Sequence, residues 1–176
     1  IVLSGTAGVS TTITGAGGHY WFMNIPTGTY TITELLQLGW VQTMPISPSH
    51  YVVSYVPSQP IDNLNFGNYA PPGEIHGMKF HDLNGDGIKD AAEPGLQDWV
   101  IGIQSGSIFS ITTTNAQGEY WFMGLPPGTY TVFEQVNPPT WNGNVMVQWV
   151  QTYPTTGTHT IDLDPGEVVI DTDFGN

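Results

Sequence analysis

The chain has 176 residues, 39% of them hydrophobic and 12% aromatic, with 22 glycines, 14 prolines and no cysteine. Two basic residues, both lysines, stand against fifteen acids, for a formal net charge of −13. That balance excludes nucleic acid as a partner, because nothing can neutralise phosphates, and it disfavours an anionic membrane surface. The apolar content suffices for a core, and the glycine and proline content favours many short strands over long helices. No stretch approaches the roughly 18 apolar residues of a membrane span. The start at Ile1-Val2-Leu3, without Met or a basic leader, reads as a processed product or an excised fragment.

In chain order, Tyr20-Trp21-Phe22-Met23 and Thr29-Tyr30-Thr31-Ile32-Thr33 are the first predicted strands, divided by a turn at Pro26 and Gly28. They belong to a repeat. The sixteen residues His19–Glu34 match Glu119–Glu134 at ten positions, at a constant offset of 100. Trp40-Val-Gln-Thr-Met-Pro45 matches Trp149-Val-Gln-Thr-Tyr-Pro154, and Phe66-Gly-Asn68 matches Phe174-Gly-Asn176, with insertions in the second copy around Asn137–Val147 and near Pro165. A duplicated module is the reading. The expected fold class is all-β: two tandem immunoglobulin-like or prealbumin-like β-sandwiches of roughly seven strands each.

The copies differ in extent. Residues 70–176 make a complete module, whereas residues 1–69 have no counterpart to Pro71–Val100, so the first module is expected to lack its N-terminal strand. A sandwich without that strand has an open edge and core. Either the protein extends N-terminally or a neighbouring subunit donates the strand, giving a homo-oligomer or filament.

The acids are concentrated as well. Residues 1–69 hold only Glu34 and Asp62, while Asp82, Asp86, Asp90, Glu93 and Asp98 fall in one short stretch. Within it, Asp82, Asn84, Asp86, Asp90 and Glu93 place oxygen ligands at positions 1, 3, 5, 9 and 12 of a loop. Gly87 stands at position 6 and Ile88 at position 7, where a backbone carbonyl can bind. Hard Ca²⁺ takes six to eight oxygens in such a pattern. The alternative is a metal-free Asp/Asn/Gly turn. Gly77-Met-Lys-Phe80 before the loop reads as a strand, and Pro94-Gly95 after it forbids a continuing helix, so the ion's expected role is structural rather than a helix-opening switch.

The run Gly77-x-x-Phe80-x-Asp82-x-Asn84-x-Asp86-Gly87-x-x-Asp90-x-x-Glu93-Pro94-Gly95-Leu96 resembles the B repeats of serine–aspartate-repeat surface adhesins. Gly118-x-Tyr120-x-Phe122-x-x-Leu125-x-x-Gly128-x-Tyr130-x-Val132-x-Glu134 is similar to the same repeats and to the B-type domains of collagen adhesins. The resemblance implies a prealbumin-like sandwich stacked as a stalk on a microbial surface and stiffened by Ca²⁺. It also implies, for some relatives, a first-strand lysine joined to a last-strand asparagine with help from a strand glutamate. Lys79, Asn176 and Glu134 stand in those places. The residues themselves favour an ordinary surface lysine and a glutamate hydrogen-bonded to backbone.

Smaller constellations carry weaker expectations. The pairs Asp162/Asp164 and Asp171/Asp173 read as a second calcium site or a solvated edge. Trp21, Trp40, Trp121 and Trp149 read as core or inter-module packing. Trp99 and Trp141 are the candidates for an exposed contact with a glycan or a surface protein. His76 and His81 read as packing residues before a transition-metal site. There is no nucleophile–base pair or phosphate loop, so the chain is expected to be no enzyme. These features together point to an extracellular structural subunit or stalk module, with an adhesin or carbohydrate-binding module as the alternative.

Overall fold

A computed structural model describes residues 1–135, 140–142 and 145–176, with side chains described outside 136–147. It is all-β, with sixteen strands and no helix among the described residues. The chain divides into two compact units, Ile1–Ala70 and Pro71–Asn176.

The second unit contains β7 (Gly73–Phe80), β8 (Val100–Ser105), β9 (Ile108–Thr113), β10 (Glu119–Leu125), β11 (Gly128–Glu134), β12 (Thr140–Asn142), β13 (Val145–Val147), β14 (Thr158–Leu163), β15 (Val168–Val169) and β16 (Phe174–Gly175). In one sheet β7 is central, antiparallel to β10 on one side and parallel to β15 and β16 on the other. The other sheet runs β14-β11-β8-β9. Strand alternation decides which residues meet between them. Tyr120 and Phe122 of β10 face inward while Trp121 and Met123 face out; Ile101 and Ile103 of β8, and Tyr130 and Val132 of β11, turn inward from the opposite sheet. With Ile75, Leu163 and Phe174 they form one continuous core.

The first unit contains β1 (Val2–Gly5), β2 (Gly8–Thr11), β3 (Gly28–Thr33), β4 (Val41–Met44), β5 (Tyr51–Tyr55) and β6 (Gly67–Tyr69). They form a sheet ordered β2-β1-β3-β5 and a separate β4-β6 pair. The strand counts, six and ten among the described residues, straddle the expected seven: the first unit forms no strand at Tyr20–Met23, and the second carries two short strands, β15 and β16, and its inserted hairpin.

The two units repeat their hydrogen bonds as well as their sequence. Tyr30 Oη donates to the Pro26 carbonyl at 3.0 Å and Tyr130 Oη to the Pro126 carbonyl at 2.7 Å. Tyr20 Oη donates to the Leu64 carbonyl at 2.5 Å, and its counterpart Tyr120 Oη donates to the Thr172 carbonyl. The Gln42 and Gln151 side-chain amides donate to the Pro45 and Pro154 carbonyls at 3.0 and 3.3 Å.

One expected strand is missing. Tyr20–Met23 forms no ladder, although the identical Tyr120–Met123 lies in β10. β10 owes its strand state to pairing with β7, Trp121 opposite His76 and Phe122 opposite Ile75. Among the described residues of the first unit, no strand fills the equivalent seat. The backbone of 20–23 therefore has no partner, and local β-propensity alone does not hold a strand. The core is correspondingly open. Only Leu3, Tyr30 and Ile32 are buried, while Tyr20, Phe22, Ile25, Leu64 and Phe66 are only half-buried.

Candidate cross-link site and calcium loop

On β7, the alternation that buries Ile75 also turns Lys79 into the sandwich, where its exposure is 0%. Glu134 extends the inward series of Tyr130 and Val132 on β11, so the two side chains approach from opposite sheets. Lys79 Nζ stands 2.9 Å from Glu134 Oε2 with both side chains fully enclosed. It also donates to the Phe174 carbonyl at 3.3 Å and lies 4.8 Å from the centre of the Trp99 ring. This corrects the reading of Lys79 as a surface residue and of Glu134 as a backbone partner. The signal was present: Ile75, Gly77 and Lys79 share one face of a strand.

Asn176 arrives beside them because β16 runs parallel to β7, Phe174 opposite Lys79. Its backbone N–H donates to the Phe80 carbonyl at 3.2 Å, and its carbonyl accepts from the Asp82 N–H at 2.8 Å. The side-chain amide has both polar atoms buried and neither in hydrogen-bonding geometry. It nevertheless lies near enough to Glu134 to favour that carboxylate's charged form.

A lysine, a carboxyl group and a carboxamide thus share a dry compartment. Burial pushes the Lys79 ammonium down from 10.5 to about 8, against the opposing attraction of Glu134 and of Asp82. Burial likewise raises Glu134 above the ordinary carboxylate range, with Lys79 and Asn176 pulling it partly back. Both shifts narrow the gap between the two groups and make the neutral form of Lys79 more accessible than in water. In its neutral form the amine is a nucleophile, and the buried carboxamide of Asn176 is an electrophile at the same end of the core.

The first unit carries two of these three groups. Glu34 and Asn68, counterparts of Glu134 and Asn176, are joined by a 2.8 Å bond in which Asn68 Nδ2 donates to Glu34 Oε2. Glu34 Oε1 is buried without a partner. Their matching repeat positions, 100 residues before Glu134 and 108 before Asn176, are the sequence signal that pairs them.

The loop after β7 wraps around its own side chains. Asp82 accepts from the N–H groups of Gly85, Asp86 and Gly87 at 2.7, 3.2 and 2.8 Å, and the nearby Thr152 hydroxyl together with these bonds lowers its pKa. Glu93 closes the loop, accepting from the Leu83 N–H at 2.7 Å and the Asp90 N–H at 3.0 Å. Gly85 and Gly87 adopt positive φ of 75° and 76°, which glycine alone tolerates cheaply. Asn84 Nδ2 lies 3.0 Å from Asp86 Oδ2 and 3.2 Å from Asp90 Oδ2. Two carboxylates and an amide therefore converge on one point, although no three acidic or histidine side chains do so among the described residues. The donor set is all oxygen once the Asn84 amide is turned, as a hard cation requires. Ile88 sits at the exposed rim.

A family model described as the SdrD B-like domain matches residues 73–167. The chain belongs to the SdrD B-like domain family. The bone sialoprotein-binding protein of Staphylococcus aureus (strain MRSA252) is 32% identical over 131 residues, which is 68% of this chain and 12% of that protein. Serine-aspartate repeat-containing protein E of Staphylococcus aureus (strain USA300) is also 32% identical over 131 residues, covering 68% of this chain and 11% of its own length. The chain thus spans about an eighth of the curated relatives it matches. Among solved structures, BcpA, the major pilin subunit of Bacillus cereus, aligns over 86% of this chain and 40% of its own, at 9% identity and a TM-score of 0.41. This SdrD B-like chain is an extracellular surface module.

The remaining candidates in the SdrD B-like chain separate. Trp99, expected to be exposed, is 3% exposed and packs edge-on against Trp149 at 5.4 Å. Trp21 and Trp121, expected to pack in the core or between modules, lie outside the core at 63% and 41% exposure, because their inward neighbours Tyr and Phe take the core face; Trp40 is 36% exposed. Trp141 lies outside the described residues. His76 pairs with Glu74 at 2.8 Å, whereas His81 meets Trp149 edge-on with ring centres 5.0 Å apart. Asp162 accepts from the Thr129 hydroxyl at 2.6 Å and Asp173 from the Met78 N–H at 2.7 Å. Neither Asp pair shares a strand, since β14 ends at Leu163 and Asp171 and Asp173 lie outside any strand.

Proposed function

We propose that this chain is a non-enzymatic, stiff structural module of a surface protein, in which Lys79 and Asn176 are joined by an amide bond. The observation that carries this reading is the fully enclosed Lys79–Glu134 pair beside the buried Asn176 amide. Lys79 Nζ attacks Asn176 Cγ, and Glu134 passes the amine's proton to Nδ2. The Cγ–Nδ2 bond then breaks and ammonia leaves. One amide replaces another, so no oxidant or cofactor is needed. The bond closes a loop of about 100 residues and so contributes about 4–5 kcal/mol by the loop-closure relation used for disulfides. Thermal melting tests it: Asn176→Ala is expected to lower the melting temperature by on the order of 20 °C.

The same reading includes a calcium ion held by Asp82, Asn84, Asp86, Asp90, Glu93 and the Ile88 carbonyl. The ligand types, their spacing and the positive-φ glycines support it. Bound there, the ion would neutralise the clustered carboxylates and fix the connection between β7 and β8. For the first unit, the seat without a strand supports completion by a strand from outside residues 1–176. A second reading, an adhesin surface that binds a glycan or protein, is favoured by the outward Trp21 and Trp121. Glycan-array binding that disappears in Trp121→Ala would support it.

A further inference from the structure

We infer that the outer face of the β7–β10 sheet docks an extended, arginine-bearing segment of a partner protein, with one guanidinium lying in a groove against Trp121. The inference rests on the reading of this face as an adhesin surface and narrows it to one kind of partner. The groove originates in a mismatch beside β7. From Ile75 to Lys79 the strand advances four residues, while the segment paired to it advances five, from Val169 to Phe174. The extra residue bulges, with Asp171 at a positive φ of 59°. The Met78 N–H donates to Asp173 Oδ1 at 2.7 Å in place of a strand carbonyl. A groove of about 250 Å³ results, with β7 as its floor, Glu119 and Trp121 on one side and Ile170, Asp171 and Asp173 on the other.

Charge and shape select the occupant. Three carboxylates and a partly exposed indole line the groove, and the chain's two lysines are committed elsewhere. Lys79 is enclosed in the core, and Lys89 donates to the Asp90 carbonyl at 2.9 Å, acting on Asp173 only through space. His76 is turned to Glu74 at 2.8 Å and meets Trp121 edge-on. Burial raises Asp173 above the ordinary carboxylate range and neighbouring Asp171 adds to it, so an incoming cation relieves both. A guanidinium stacks on an indole face and forks to a carboxylate, which an ammonium does not, and a neutral sugar would leave the charge unanswered. The partner is a polypeptide because apolar surface continues past the groove, with Met123, Val168 and Ile170 at 68%, 55% and 62% exposure. An extended segment spans both, its same-face side chains roughly 7 Å apart. The first copy repeats Trp-Phe-Met at 21–23 but carries His19, Asn63 and Asn65 where the second has Glu119, Asp171 and Asp173. The three charges are therefore a feature of the second unit rather than of the module plan.

The test titrates the full chain, in about 0.15 M salt, with an acetylated peptide alternating arginine and valine, and with its lysine and glutamine counterparts, by isothermal calorimetry. The arginine peptide is expected to bind at a single site, the lysine peptide at least about tenfold more weakly, and the glutamine peptide not at all. Trp121→Ala is expected to weaken binding by at least about tenfold, and so is Asp171→Asn combined with Asp173→Asn. Trp121 faces outward, and the double variant, which keeps an acceptor for the Met78 N–H, reads the groove independently of it. Asp162→Asn combined with Asp164→Asn removes the same charge at the end of β14 in the other sheet, and is expected to change affinity by less than about twofold. Equal weakening by the two charge pairs would overturn the groove in favour of general attraction to an acidic chain. An equally tight lysine peptide would overturn the guanidinium assignment. Glycan binding that Trp121→Ala abolishes, with no peptide bound, would overturn this inference and leave the adhesin reading standing. Absence of both glycan and peptide binding would overturn the two together.

Discussion

Lys79 decides how the second module behaves. With the cross-link absent, its pKa is about 8 in the folded state and 10.5 ordinarily, so the unfolded chain binds more protons across that interval. Stability of Asn176→Ala is therefore expected to rise with pH from about 8 toward 10.5, by up to about 1.4 kcal/mol per pH unit. On the proposed cross-link the wild-type Lys79 nitrogen is an amide, and the wild type is then expected to lack this slope. Chemical denaturation of both proteins across the interval measures the difference. Tyr120 makes a second residue-scale prediction. Its hydroxyl donates to the Thr172 carbonyl in the core, and Tyr120→Phe leaves that carbonyl buried and unpaired, costing about 1–3 kcal/mol. Denaturant midpoints check the figure.

Elements depend on partners more than on their own sequences. Tyr20–Met23 and Tyr120–Met123 are identical, yet only the second is a strand, because only it has β7 to pair with. Hydrogen exchange is expected to leave the amides of 20–23 unprotected and those of 120–123 strongly protected. The all-β class, the repeat and the β7 strand were legible because alternation and turn residues are local signals. Lys79's burial was legible only in part: its alternation with Ile75 showed, but a cation in a core contradicts the usual preference unless its partner is known. Glu134 comes from the other sheet, and no local pattern announces that meeting. Trp99 misled for a similar reason, since its packing partner Trp149 is fifty residues away. The loop between β7 and β8 offers its own prediction. With calcium bound, the melting temperature of the second unit is expected to fall on addition of a chelator, and Glu93→Ala is expected to remove the difference.

At the scale of the whole molecule, the two units share a plan and differ in closure. Among the described residues, the second has a continuous core of eleven buried side chains and the first only three. That difference assigns the weaker stability to the first unit, and it leaves there a Glu–Asn pair whose counterpart in the second unit is joined by a lysine. The central claim is the amide bond between Lys79 and Asn176, and intact mass spectrometry of the purified chain tests it most directly. A mass lighter than the sequence mass by one ammonia, restored to the sequence mass in Asn176→Ala, is the predicted result. A wild-type chain at its full sequence mass would contradict it.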